Sequence, residues 1–469
     1  MLRIHLPAAL LVFALVPLAQ EVRVDPEAID ALFAEWDRTD SPGCALGVIH
    51  RGELVYARGY GMANLDHGVA NAPDTVFRIG STSKQVTAAC VGLLVLDGRV
   101  DLDAEVREYV PELFDYGVSI TVRHLLHHTS GLRDYLVVMS LAGKRSNDWY
   151  STEEALEAIY RQRELNFAPG SQELYCNSGY LLLGEIVRRV SGQSLRAFAA
   201  ERVFGPLGMT HTHFHDDHNE VVARRATGYS PDGEGGFRID VTTLDMVGDG
   251  GVFTSVEDWA HWDRNASSHA VGGEALHALT RESFTLDDGR ELDYRHGLVL
   301  SEWRGLPLES HGGAFVGYRA DALRFPEQEF SVVCFANLGS FDPSGQCRKV
   351  AALCLAEFVE EEPARAGARD RGAREAPEPP GPMAPERRDA LLGSYTSREL
   401  LDVVYGLRLE GERLVLTVGA HGDVDAVAHE DGVVRVPSWG LELHFGADAA
   451  QGFELAAGRV RGMRFERLD

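Results

Sequence analysis

Between residues 360 and 386 the chain turns into glutamate, arginine and proline, as in Glu360-Glu361-Glu362-Pro363 and Glu375-Ala376-Pro377-Glu378-Pro379-Pro380. A segment with so few apolar side chains cannot bury enough surface to offset the entropy of ordering its backbone, so it reads as a linker. The 469 residues must therefore divide around it. Upstream, residues 26–359 mix two periodicities. Residues 44–50 and 53–60 read as a hairpin about Arg51-Gly52, and helical patterns dominate from Ser81 to about Leu207. Strand character returns at 297–303, 320–325 and 330–337, before a closing helix over 343–358. Strands at both ends with helices between them predict a mixed, α+β arrangement of sheet and helices. Downstream, residues 387–469 alternate with period two: Leu407 and Leu409, then Leu414, Leu416 and Val418, across the turn Glu410-Gly411-Glu412-Arg413. Short strands at that spacing predict a small antiparallel barrel or sandwich.

Charge and composition exclude some partners. With 71 acidic against 45 basic residues the net charge is −26, which disfavours nucleic acid and charge-driven docking on anionic lipid. Arg3 and His5 precede a charge-free run from Leu6 to Ala19, too short to span a bilayer comfortably but suited to a signal peptide over residues 1–20. The expected location is therefore periplasmic or extracellular, with no stable membrane span after cleavage. The six cysteines, Cys44, Cys90, Cys176, Cys334, Cys347 and Cys354, follow no metal-ligand spacing.

Ser81-Thr82-Ser83-Lys84 follows Phe77-Arg78-Ile79-Gly80 and opens an apolar stretch that ends at Asp97-Gly98. This predicts a buried helix with Ser81 in its first turn and Gly98 just past its end. Residues three apart share a helix face, with Cβ atoms about 5–6 Å apart. An amine at Lys84 can take the Ser81 hydroxyl proton only while uncharged, and both burial and the positive end of the helix dipole push it that way. The Ser81 amide is also placed to receive a substrate oxyanion. Taken alone, Ser-x-x-Lys also fits an ordinary capped helix start with a solvated lysine.

Two further segments bear on that choice. Tyr175-Cys176-Asn177 lies in a loop before a helix over 179–190; the phenol can shuttle a proton and the amide can contact Lys84 or a substrate carbonyl. The alternative is a packed tyrosine and a helix-capping asparagine. In His311-Gly312-Gly313-Ala314, glycines in a strand permit close backbone approach to a ligand, and an edge strand there would offer the Ala314 amide as a second oxyanion donor.

In this order and at these separations, the three motifs resemble the signature of serine β-lactamases and penicillin-binding proteins, specifically the class C β-lactamase and D-aminopeptidase branch. The similarity extends to Leu125-Leu126-His127-His128-Thr129-Ser130-Gly131-Leu132, to Phe167-Ala168-Pro169-Gly170, to Asn177-Ser178-Gly179-Tyr180 and to Pro206-Leu207-Gly208-Met209. It implies an antiparallel sheet flanked by helices, an all-helical lobe, and a C-terminal β-barrel domain like that of some members. It also implies that Ser81 is the acylated nucleophile and that Lys84 and Tyr175 move its proton. Asn177, His311, Gly313 and Ala314 would then contact substrate, and no cofactor or metal is required. One departure narrows the activity. The family's lactam- and carboxylate-binding members place Lys-Thr-Gly or Lys-Ser-Gly where this chain has His311-Gly312-Gly313. Losing a charged hydrogen bond weakens carboxylate binding by about 1.5–3 kcal/mol. A peptidase or amidase acting on a small-molecule or peptide substrate, or an esterase, is expected ahead of a β-lactamase.

Two other classes compete. His213-Phe214-His215-Asp216-Asp217-His218 matches H-x-H-x-D-H and resembles the metal-binding loop of metallo-β-lactamases, which would make the chain a metal-dependent hydrolase. Its position after the turn at Gly208-Met209, not after a hydrophobic strand, favours a polar loop. A non-catalytic sensor or scaffold protein would keep the cleft without using it, but all the reactive side chains are present.

Overall fold

A computed structural model describes residues 21–145, 147–359, 380–446 and 451–468; the predicted signal peptide and most of the predicted linker lie outside them. The central sheet has six antiparallel strands in the order Val299–Trp303, Leu306–Phe315, Tyr318–Phe325, Phe330–Ala336, Cys44–His50, Glu53–Tyr60. Both ends of the first domain thus meet in mid-sheet, where Cys44–His50 pairs with Phe330–Ala336. These two strands are almost wholly buried, because helices cover both faces. On one face Ile29 and Phe33 of helix Pro26–Phe33 and Cys347, Val350 and Ala351 of helix Pro343–Cys354 pack on Leu46, Val48 and Val332. On the other lies the helical lobe, whose core includes Val86, Cys90, Leu125, Val138, Leu182 and Ile186.

The helix predicted at the first motif begins as a 3-10 turn, Gly80–Ser83, and continues as Lys84–Leu96. Eleven of its thirteen α-helical residues are buried, as a run without a polar stripe requires. Gly98 ends it in the left-handed region, φ 67°. The second helix starts earlier than predicted, at Asn177, and runs to Ser191.

Residues 393–467 close into an eight-stranded antiparallel barrel, from Gly393–Thr396 to Val460–Arg467. Closure leaves no sheet edge unpaired, and Tyr395, Leu416, Leu443, Leu455 and Met463 fill the interior. The proline-rich stretch assigned to the linker ends sooner than residue 386. Met383 is buried and donates its amide to Ala428 O at 3.0 Å, and helix Pro385–Asp389 follows. An apolar side chain that finds the barrel wall can order a segment its composition leaves open.

The barrel packs on the helical lobe through a buried polar seam. Arg133, fully buried, meets Glu399 at 2.6 Å and donates to Arg461 O at 3.2 and 3.1 Å. Gln162 Nε2 donates to Glu399 O at 3.1 Å, and Tyr405 Oη to Leu141 O at 2.8 Å.

Candidate active site

Sheet and helical lobe meet at the turn Gly80–Ser83. The strand Leu306–Phe315 is paired on both sides only as far as Ser310; from His311 to Phe315 it pairs with Tyr318–Phe325 alone. That free edge presses on the turn. A Cβ at Gly313 would lie 1.9 Å from Ile79 O, and one at Gly80 (φ 52°) would lie 2.8 Å from Ala314 N. Both positions therefore require glycine. Gly313 is small to admit the backbone of Ile79, not a ligand as its place in the motif suggests. Thr82 Oγ1 ties the same contact by donating to His311 O at 3.2 Å, while Ser83 Oγ accepts from Val252 N, on a separate strand, at 3.0 Å. Ser81 and Ala314 consequently line one cleft, with Arg78, Tyr135, Tyr175, Asn177, Asp249 and Arg459. Ser81 lies in the first turn, where a helix has no acceptor of its own for the amide.

Lys84 is fully buried. Its Nζ lies 3.3 Å from Ser81 Oγ, donates to Asn177 Oδ1 at 2.9 Å, and donates to the carbonyl of Asp249. With two hydrogens committed to carbonyl-type oxygens, the remaining position of the amine faces Ser81. In the uncharged amine that position is the lone pair. Asn177 is held in turn by Asp134, which accepts from its backbone N at 2.8 Å and its Nδ2 at 2.9 Å. Since Nδ2 is thereby engaged, Asn177 contacts Lys84 through oxygen only.

Tyr175 is placed differently from the proton-transfer partner that the motif implies. Lys84 Nζ sits 4.8 Å above the centre of its ring, against the face and not the hydroxyl. The hydroxyl is buried with no hydrogen-bond partner among the described residues. It is therefore free to bond to a group entering the cleft. His128 supports the ring from below at 4.2 Å between centroids, and its Nδ1 accepts from Cys176 N at 3.1 Å.

His311 does not line the cleft. It is buried behind it, with Nε2 3.3 Å from Tyr294 Oη and Nδ1 2.6 Å from Gly312 O. Burial pushes its imidazole down to about 4. The third motif therefore supplies no cation at neutral pH. His127 is likewise lowered to about 4, and His128 and His296 well below the ordinary range, all by burial first. The unfolded chain thus binds more protons than the folded one below about pH 6.5, where unfolded histidines begin to charge. Their stabilising contribution is complete above that value and lost as pH falls towards 4. The melting temperature is expected to drop steadily from pH 6.5 to 4, and a flat profile by differential scanning calorimetry over that window would contradict it.

Three cleft residues carry no motif signal. Asp134 receives, besides Asn177, Arg459 Nη1 at 3.0 Å. Arg459 sits in the tight turn between barrel strands Gly452–Ala457 and Val460–Arg467, and its guanidinium lies 5.1 Å from the Tyr175 ring centre. The barrel thus reaches into the cleft across the domain boundary. Arg78, 6% exposed, lies over Phe315 at 5.1 Å and Phe253 at 5.8 Å. Its guanidinium makes no hydrogen bond or ion pair to another described residue, and Nε is buried without a partner. Asp249, whose carboxyl burial pushes up, accepts from Tyr135 Oη at 3.1 Å.

The histidine-rich loop divides. His213 Nε2 and His215 Nδ1 are 3.3 Å apart with Glu220 beside both, whereas His218 turns away to Asp245, Nδ1 to Oδ2 2.9 Å. None of these four side chains lines the cleft of Ser81, which removes the metallohydrolase reading of His213, His215 and His218 acting together on substrate there. Burial lowers the His213 imidazole and brings that of His215 to about 4.

A serine, a buried lysine and two backbone amides at the seam of an antiparallel sheet and a helical lobe define a domain of penicillin-binding-protein architecture. The chain belongs to the Beta-lactamase family, whose model matches residues 29–357. It is 31% identical over 373 residues to a D-aminopeptidase of Gluconobacter oxydans, covering 79% of this chain and 66% of the relative. A D-aminopeptidase of Brucella ovis is 30% identical over 297 residues, 63% of this chain and 56% of the relative. The chain thus spans somewhat under two thirds of the length of these relatives. The octameric penicillin-binding protein homologue from Pyrococcus abyssi shares the fold with TM-score 0.64 at 22% identity, covering 92% of this chain and 96% of that one. The D-amino acid amidase from Ochrobactrum anthropi SV3 does so with TM-score 0.58 at 23% identity, over 71% and 97%.

Proposed function

We propose that the protein is a D-stereospecific aminopeptidase or amidase that works through an acyl-enzyme on Ser81. The observation that carries the mechanism is the set of three partners around Lys84 Nζ, which leaves its third position to Ser81 Oγ. As Oγ attacks the substrate carbonyl carbon, its proton passes to Lys84 Nζ. The amides of Ser81 and Ala314 take the oxyanion, and a preorganised donor of this kind contributes about 3–4 kcal/mol to the transition state. The C–N bond then breaks, and the departing nitrogen takes the proton from Lys84 Nζ. Water then attacks the acyl carbon and gives a proton to Lys84 Nζ, the bond from that carbon to Ser81 Oγ breaks, Oγ takes the proton from Lys84, and the acid leaves.

The D-aminoacyl group is supported by the relatives and by the cleft's charges. Asp249 places a carboxyl group in the same cleft as Ser81 to meet a substrate ammonium. The neutral His311 leaves the third motif without the cation that a lactam carboxylate would use. Export, for which the charge-free run 6–19 speaks, would place the enzyme where D-amino acid peptides occur outside the cell.

The test is a parallel assay of D- and L-alanine p-nitroanilide, p-nitrophenyl acetate and a chromogenic cephalosporin. The D-anilide is expected to exceed the L-anilide in kcat/KM by at least about tenfold, a difference of about 1.4 kcal/mol. Equal rates on the two enantiomers, or a cephalosporin rate above both, would replace this reading with a general esterase or a β-lactamase.

A further inference from the structure

The pair His213 and His215 has no part in the chemistry at Ser81, yet the fold gathers it with a carboxylate. Strand His213–Phe214 pairs with Val252–Thr254, which pairs with Phe77–Arg78, the entry to the nucleophile turn. His215 extends this pairing through its amide, which donates to Gly251 O at 2.8 Å. In extended chain, residues two apart project from the same face, so His-x-His delivers two imidazoles side by side. Glu220 comes back to them from the following loop.

We propose that His213 Nε2, His215 Nδ1 and Glu220 Oε2 form a binding site for a divalent transition-metal ion of the zinc type. The three separations are 3.3 Å between the nitrogens, 3.8 Å from His213 to the carboxylate and 3.7 Å from His215 to it. A tetrahedral ion with bonds of about 2.0–2.1 Å holds its ligands about 3.3–3.4 Å apart. The three atoms therefore already outline one face of such a tetrahedron, and a closure of a few tenths of an ångström completes it. Two imidazoles and one carboxylate form a donor set that zinc takes in proteins, with water in the fourth position.

The surroundings hold that set in place. Arg196 donates to both Glu220 oxygens, at 2.6 and 2.7 Å, and to Asp216 Oδ1 at 3.0 Å. Each carboxylate oxygen keeps a second lone pair, so Glu220 can bond to the guanidinium and the metal together. The Asp216 carboxylate offsets the added positive charge of Arg196. Phe253 lies against both rings, stacked on His213 at 5.8 Å and tilted on His215 at 4.4 Å. His215 is buried, whereas His213 and Glu220 keep 17% and 34% of their side chains exposed, so the site opens to solvent on one side. An ion here would close the 213–220 loop on itself, and the pairing of His213–Phe214 with Val252–Thr254 and the bond from the His215 amide to Gly251 O tie that loop to Gly251, a residue of the cleft wall. Its role is to brace that wall, without touching substrate.

The experiment is calorimetric titration of the full chain, after dialysis against EDTA, with zinc chloride, paired with thermal melts. One equivalent is expected to bind with micromolar or tighter affinity and to raise the melting temperature. His213→Ala, at a partly exposed position, is expected to lose at least about 100-fold in affinity, and cobalt added to the wild type is expected to give the intense visible bands of a tetrahedral site. His218→Ala, which alters the motif but not the cluster, is expected to bind as the wild type does. Absence of binding to the folded wild type, or equal affinity in His213→Ala and wild type, would overturn the site. Loss of binding in His218→Ala with retention in His213→Ala would do so too.

Discussion

Ser81→Ala is expected to lower kcat on a D-aminoacyl anilide by on the order of 10⁴-fold or more, as removal of a nucleophile does when the acyl-enzyme is the only productive route. The fold should not respond. Ser81 Oγ contacts Lys84 alone at 3.3 Å, and a partly exposed hydroxyl of this kind contributes within about ±0.5 kcal/mol. A fluorophosphonate probe should add one adduct to the wild type at Ser81 and none to the variant. Lys84→Met tests the other half of the pair. It removes the proton acceptor and leaves Asn177 Oδ1 and the Asp249 carbonyl without a donor. Both acylation and turnover should fall, by about 10²–10⁴-fold for loss of a general base. Labelling of Ser81→Ala at unchanged rate, measured by intact-mass spectrometry, would place the nucleophile elsewhere.

The largest effect on stability is expected at the seam between barrel and helical lobe. Glu399→Ala would leave the Arg133 guanidinium, with no exposed side-chain surface, without its carboxylate, and the Arg163 amide without its acceptor at 2.7 Å. Stranding a buried charge costs about 3–5 kcal/mol, whereas replacing both partners by apolar groups of similar size is often close to neutral. Glu399→Ala should therefore lower the urea midpoint sharply, and Arg133→Met with Glu399→Leu should recover most of the loss. Activity should follow, since Arg459 enters the cleft only while the barrel is docked. An unfolding free energy for Glu399→Ala within about 1 kcal/mol of the wild type would show that the seam is hydrated, and that its charges are shared with water.

Much of this was legible before any coordinates. The hairpin at 44–60, the helix after Ser81 and the alternating barrel follow from local periodicity, which backbone geometry imposes wherever one face is buried. Ser81 and Lys84 are three residues apart on one such element, so their meeting is a local matter. Tyr175 and His311 were placed near them by family resemblance, and there the resolution ended. Neither Lys84 standing over the face of the Tyr175 ring nor His311 retreating behind the cleft has a local signal. The role of Gly313 was misassigned for a similar reason: a glycine in a strand announces a close approach but not of what, and here it is the backbone of Ile79.

Arg459 marks the limit most clearly. It stands in a Gly-Arg turn between two barrel strands, where the sequence calls for no more than a polar residue. It becomes a cleft residue because a buried ion pair, Arg133–Glu399, seats the barrel against the helix that Asp134 caps. Glu220 joins His213 and His215 in the same way, across a loop whose course no pattern specifies. What the sequence by itself determined is the two-part chain, the elements within each part and the meeting of Ser81 with Lys84, all set by contacts a few residues long. Tertiary structure alone decided which charges face that nucleophile and which stand behind it, because those positions depend on how sheet, lobe and barrel dock. Docking is an outcome of shape and of the high cost of burying an unpaired charge, and both are properties of surfaces that exist only once the elements have formed.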